Sequence, residues 1–428
     1  MSHQIIGVNE KPRLAKWIPL SFQHVFAMFG ATVLVPLLTG LDPAAALFAA
    51  GSGTLLYILV TGAQVPAFLG SSFAFIPPII AVGSAYGIPY ALGGAVIAGL
   101  FYAVVAFIIK LAGTRWIDRV IPPVVIGSVI ICIGLNLAPV AMGMAMNNGE
   151  GAYSLVSLSI AAFTLVVAIV ATIFFKGFFN VIPILISLVA GYLFTVIMGS
   201  FFPAYALIDF GVVAEASWFS LPKFAVPQFN LMASLTFVIV SLATMCEHLG
   251  DVMVTSRVVG ADFYKKPGLH RTLLGDGLAT AWAAFWGGPP NTTYGENIGV
   301  MAITRVYSVW VIGGAAVIAV LLSLVTKVGA IIRTIPTPVM GGISMLLFGI
   351  IASSGLRTIV ESGVDFKCKR NLTISSVIMV IGIGGGKLAF DIGGGLQFQL
   401  AGVALATVVG IVLNLILPPT LDKKVMED

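Results

Sequence analysis

The sequence predicts an all-α polytopic membrane protein, on three grounds: a shortage of charge, the way that charge is distributed, and an internal repeat. Of 428 residues, 9% are charged and 59% are hydrophobic, roughly a third of the charge density of a soluble domain. From Pro43 to Ile109 there are 67 consecutive residues without one Asp, Glu, Lys or Arg. A membrane helix needs roughly 20 apolar residues, so this stretch alone can hold three crossings with their turns. No water-soluble core of this size could bury so much apolar surface. A soluble globule, a disordered chain and a nucleic-acid binder are thereby excluded.

Cutting at charges, Pro/Gly clusters and polar turns gives fourteen spans, near 17–40, 43–61, 65–84, 89–110, 120–141, 154–175, 178–199, 230–256, 270–287, 290–305, 307–328, 336–356, 371–386 and 400–418. With the N-terminus in the cytoplasm, 18 of the 22 Lys and Arg lie on that side. Only Lys223, Lys327, Arg333 and Lys387 fall outside, the asymmetry expected of the positive-inside rule. A missed span would swap every later loop and weaken the bias. An even count returns the C-terminus to the cytoplasm, giving a multi-pass protein of the cytoplasmic (inner) membrane. The polar start, from Met1 to Trp17, lacks an apolar region with a cleavage site, so no removable signal peptide is expected.

The repeat fixes the architecture. Pro123, Val124, Gly127 and Gly134 recur 215 residues later as Pro338, Val339, Gly342 and Gly349. That offset is half the chain, so the unit is seven spans. An odd unit must lie upside down in its second copy, which explains why Arg333 falls outside when Arg119 is inside. The expected organisation is a first repeat over 1–200, an extracytoplasmic connector over 201–229 and a second repeat over 230–428. Inverted repeats mark secondary transporters, whose substrate site lies between the copies at the midplane.

Spans 3 and 10 are expected to be broken by short extended stretches. Residues 69–78 read Leu-Gly-Ser-Ser-Phe-Ala-Phe-Ile-Pro-Pro, and 287–296 read Gly-Gly-Pro-Pro-Asn-Thr-Thr-Tyr-Gly-Glu, poor recipes for a continuous helix. Both are the third span of their repeat. A continuous helix satisfies its own backbone, whereas an interrupted one exposes N–H groups at a new N-terminus, where carbonyl oxygens and anions are favoured.

Three acids inside spans stand out as candidates. Glu247 and Asp251 share one face of the eighth at i and i+4, and Glu296 sits at the break in the tenth. Ionised carboxylates in a membrane usually face a cavity or carry protons. Gln23 and His24 occupy the matching place in the first span. Arg271 and Asp276, near the ninth, read as a pair at its cytoplasmic end. Cys132, Cys246 and Cys368 stand too far apart for a disulfide or metal framework, and His3, His24, His248 and His270 are too scattered for zinc. No cofactor is expected beyond protons as coupling ion.

Four segments together resemble the nucleobase–ascorbate transporter family: Gln23-His24, Ser71-Ser72-Phe73, Glu247-His248-Leu249-Gly250, and Glu296-Asn297-x-Gly299-x-x-x-x-Thr304-Arg305, the last similar to the family signature. The likeness covers nearly the whole chain and is greatest to bacterial uracil permeases. It implies a uracil:proton symporter, with a core domain from spans 1–4 and 8–11 and a gate domain from spans 5–7 and 12–14 that can form a homodimer contact. By the same resemblance Phe73, Glu247, Gly295 and Glu296 bind the base with Tyr294 beside it, Glu247 and Asp251 couple protons, and Gln23 and His24 support them. One departure stands out: the usual uracil-permease pattern has His where this chain has Asp251, as many purine members do. A xanthine or purine symporter on the same fold is therefore the first alternative. A membrane-embedded enzyme using Glu247 and Glu296 as acid and base is the second, and a channel the third.

Overall fold

A computed structural model describes residues 5–391 and 397–418; the predicted cytoplasmic end at 419–428 lies outside the described residues. The chain is built from helices in this order: α1 (Leu14–Thr39), α2 (Pro43–Val60), a strand β1 (Leu69–Ser71), α3 (Ile76–Tyr86), α4 (Ile88–Ala112), α5 (Arg115–Val120), α6 (Pro123–Asn136), α7 (Ala138–Met146), α8 (Leu155–Phe174), α9 (Pro183–Phe201) and α10 (Gly211–Glu215). The second half follows with α11 (Leu231–Val259), α12 (Leu269–Phe285), β2 (Asn291–Thr293), α13 (Gly295–Thr304), α14 (Val309–Ser323), α15 (Thr326–Arg333), α16 (Thr337–Glu361), α17 (Lys369–Ile383), the strands β3 (Lys387–Asp391) and β4 (Gln397–Ala401), and α18 (Gly402–Ile416). Among the described residues, 8 helices are long and apolar enough to cross a membrane. The protein is a multi-pass, mostly helical membrane protein.

The ends of these helices follow from local chemistry. Pro43 opens α2 behind Asp42, whose carboxylate accepts from the Ala44 N–H at 2.9 Å; Asn230 caps α11 by accepting from Met232 and Ala233. Such caps satisfy N–H groups that have no partner within the helix. Gly40 and Gly260 close α1 and α11 in the left-handed conformation that glycine adopts without a Cβ penalty.

Between the predicted spans 371–386 and 400–418, where the sequence suggests no regular structure, β3 and β4 pair antiparallel, with Lys387 opposite Ala401. The polar–apolar alternation of Gln397, Phe398, Gln399 and Leu400 suits a strand, and it lies between two apolar helices that dominate the hydropathy.

Of the repeated glycines, Gly127 and Gly134 sit where α6 crosses α16, whereas Gly342 packs against Ala161 and Thr164 of α8. A Cβ on Gly127 would lie 2.4 Å from Ile359 and 2.7 Å from the Gly355 carbonyl; one on Gly134 would lie 2.5 Å from the Phe348 carbonyl. As positions rise along α6 their partners fall along α16, so the two helices run antiparallel in backbone contact. Small residues at such crossings let van der Waals packing replace the hydrophobic effect, which is absent between helices in lipid. Gly134→Ala should therefore destabilise the protein by about 1–3 kcal/mol, read as a lower thermal unfolding midpoint in detergent. Gly349→Ala, whose Cβ would meet nothing within 4 Å, should stay within about 0.5 kcal/mol of the parent.

Candidate functional site

Two short strands organise the site. β1 and β2 pair antiparallel, Leu69 opposite Thr293, Gly70 opposite Thr292 and Ser71 opposite Asn291. Ser72 N–H donates to the Pro290 carbonyl at 2.8 Å, and Tyr294 N–H to the Phe68 carbonyl at 3.0 Å. Side chains from two helices hold the pair from outside. Thr54 of α2 exchanges hydrogen bonds with the backbone of Leu69, and Thr280 of α12 donates to the Asn291 carbonyl at 2.7 Å. The Asn291 amide reaches the Ala49 carbonyl at 2.9 Å. Each strand leads into a helix, β1 through a 3-10 turn at Phe73–Phe75 into α3 and β2 directly into α13.

Beside the strand pair lies a cavity of about 350 Å³ lined by Phe73, Glu247, Asp251, Tyr294, Gly295 and Glu296 together with parts of α6, α16 and the 180–184 turn. Six of the predicted residues thus converge on one space. Glu247 and Asp251 descend from one face of α11, and Glu296 stands in the first turn of α13, where a helix N-terminus favours an acidic group. Asp251 accepts a hydrogen bond from Thr293 at 2.7 Å. One carboxylate oxygen of Glu247 is buried without a partner, a group that a ligand N–H or a bound proton would satisfy.

Tyr294 faces the cavity with little of its polarity. Its hydroxyl donates to the Ser71 carbonyl at 3.0 Å and accepts from Thr32, and its ring lies against Gly70, where a Cβ would come within 2.5 Å. The side chain locks β1 to β2. Gln23 and His24 are buried on α1 and do not line the cavity. His24 holds α13 from behind: the Asn297 amide donates to its carbonyl and to Nδ1, each at 3.1 Å.

The expected pairing of Arg271 with Asp276 does not form. Asp276 is fully buried with His248 Nδ1 at 3.4 Å, while Arg271 is exposed. Five residues turn a helix through about 500°, so the two side chains leave α12 on different faces. Sequence reasoning also passed over the wall facing the acids: Ile130 of α6 and Ile350, Ser353, Ser354 and Arg357 of α16. The repeated Pro/Gly pattern located both helices, but nothing in it marks which of their residues turn inward.

The chain also resembles known proteins. A family model described as "Permease family" matches residues 15–389. The chain belongs to that family. It is the nucleobase–ascorbate transporter family anticipated from the signature, and membership makes the chain a transporter, so the enzyme reading falls. The chain is 53% identical to the uracil permease of Bacillus caldolyticus over 98% of its length and 96% of the relative's. It is 47% identical to the uracil permease of Escherichia coli (strain K12), covering 97% and 94%. Among solved structures, the transmembrane domain of the cyanobacterial bicarbonate transporter BicA superimposes with a TM-score of 0.66 at 13% identity, over 96% of this chain and 100% of that one. At that identity the likeness speaks for the fold alone.

Removing the hydroxyl that ties the strands together tests its structural role. Tyr294→Phe should cost about 1 kcal/mol of stability, measured as a lower unfolding midpoint without ligand.

Proposed function

We propose that this protein takes up uracil across the cytoplasmic membrane by proton symport. The observation that carries the reading is the convergence of Glu247, Asp251 and Glu296 on one cavity beside the paired strands and the start of α13, in a chain about half identical to uracil permeases. Uracil is flat and neutral, with two N–H donors and two carbonyl acceptors. Glu247 and Glu296 accept from its N–H groups, backbone N–H groups near Phe73 and Gly295 serve its carbonyls, and the Phe73 ring covers one face. Proton uptake at Glu247, shared with Asp251, lets the loaded core move without a buried charge.

In this reading the helices form fourteen spans in two inverted sevens over 1–200 and 230–428, joined by an extracytoplasmic connector over 201–229. Spans 3 and 10 are β1 with α3 and β2 with α13. Spans 1–4 and 8–11 make the core domain and spans 5–7 and 12–14 the gate domain, through which two copies can pair. Both termini are cytoplasmic. The positive-inside asymmetry supports the orientation, and the matching breaks support the inversion.

Moving one proton through about 100 mV yields ~2.3 kcal/mol, sufficient for about 50-fold accumulation of a neutral substrate. Proteoliposomes holding the purified protein should concentrate labelled uracil under an inward proton gradient and only equilibrate it without one. Glu247→Gln should erase that difference; concentrative, pH-dependent uptake by this variant would refute the coupling role. Asp251 is the one feature that favours a purine substrate instead, and competition of labelled uracil by unlabelled xanthine and guanine separates the two. Uracil alone should compete fully.

A further inference from the structure

A second cavity, of about 220 Å³, lies beyond the first, and Phe73 lines both. Phe73, in the 3-10 turn before α3, is thus a wall common to both. Opposite stands Phe348 of α16, buried and edge-on to Phe73, with ring centroids 5.6 Å apart at 76°.

The two cavities also share α6 as a wall. Along α6, Ile130 faces the first cavity while Ile133 and Asn136 face the second. Along α16, which runs the other way, Ser354 and Arg357 face the first and Phe348 precedes them. α6 thus passes from the first cavity to the second, and Phe348, which lies opposite Gly134 of α6, stands level with the boundary. The walls of the second cavity are mostly apolar, including Pro77, Pro78 and Val240. Asn136 is its one polar side chain, half-buried and without a hydrogen-bond partner among the described residues. A primary amide presents a donor and an acceptor side by side, the complement of the N–H/C=O edge of a nucleobase.

We propose that this second cavity is the outer half of the substrate route, a subsite for the same neutral nucleobase read by Asn136, and that Phe73 and Phe348 form the partition that keeps the two halves from opening together. The inference rests on the transport reading above. Binding at the first cavity and passage through the second are then separable, because Phe348 reaches the route without contributing to the carboxylate cluster.

Two variants test it in proteoliposomes. Phe348→Ala should let preloaded uracil escape at least tenfold faster than from parent vesicles and should lose concentrative uptake, while uracil binding in detergent stays within threefold. Accumulation at the parent level by a folded Phe348→Ala protein would overturn the partition. Asn136→Cys, made in a Cys368→Ser background because Cys132 and Cys246 are buried, should react with a membrane-impermeant thiol reagent added from outside. Its labelling should block uptake at least tenfold and be slowed by uracil. Absence of labelling, or full labelling with uptake intact, would overturn the outer subsite whether or not Phe348→Ala folds. If the parent protein carries no uracil at all, the transport reading itself has failed, an outcome distinct from either of these.

Discussion

The strand pairing of Leu69–Ser71 with Asn291–Thr293 is the contact on which the rest of the site depends. Inside a membrane, backbone that leaves the helical ladder must find partners within the protein. Two three-residue strands supply them to one another, and Thr54 of α2 and Thr280 of α12 complete the set. Because β1 runs into the 3-10 turn at Phe73 and β2 runs directly into α13, pairing the strands places Phe73 and the start of α13 on one cavity. The polar atoms of the cavity are thus a consequence of how the backbone is satisfied.

Around this centre the halves are unequal in charge. The first contributes Phe73 and backbone from a segment without a charged residue; the second contributes Glu247, Asp251 and Glu296. On the proposed reading a neutral heterocycle suits such a site, its N–H groups turned to the carboxylates and its carbonyls to backbone N–H groups. The facing wall comes from α6 and α16, held in close contact by glycines, and it is apolar apart from Ser353, Ser354, Arg357 and the turn residue Asn180.

Much of this was legible in the sequence because membranes narrow the choices. The charge-free runs located the helices to within a few residues: the predicted eighth span at 230–256 is α11 at Leu231–Val259. Gly-Ser-Ser and Pro-Pro-Asn-Thr-Thr marked the two strands, since such residues cannot continue a helix cheaply. The acids stood out against an apolar background. Three things escaped. The β3–β4 hairpin is short and lies between strongly apolar helices. The burial of Asp276 against His248 depends on which way α12 is rotated, and one sequence does not fix that rotation. The hydroxyl partners of Tyr294 lie 223 and 262 residues away, so a residue that reads as an aromatic wall is also the bolt between strands.

The proposed transport requires that the carboxylate at the start of α13 hold the substrate. The direct measurement is an equilibrium titration of detergent-purified protein with labelled uracil, comparing the parent with Glu296→Ala. Loss of a charged acceptor for a ligand N–H, at about 1.5–3 kcal/mol, predicts at least a tenfold weaker dissociation constant in a variant that still unfolds at the parent temperature. An unchanged dissociation constant would contradict the site and the mechanism built on it.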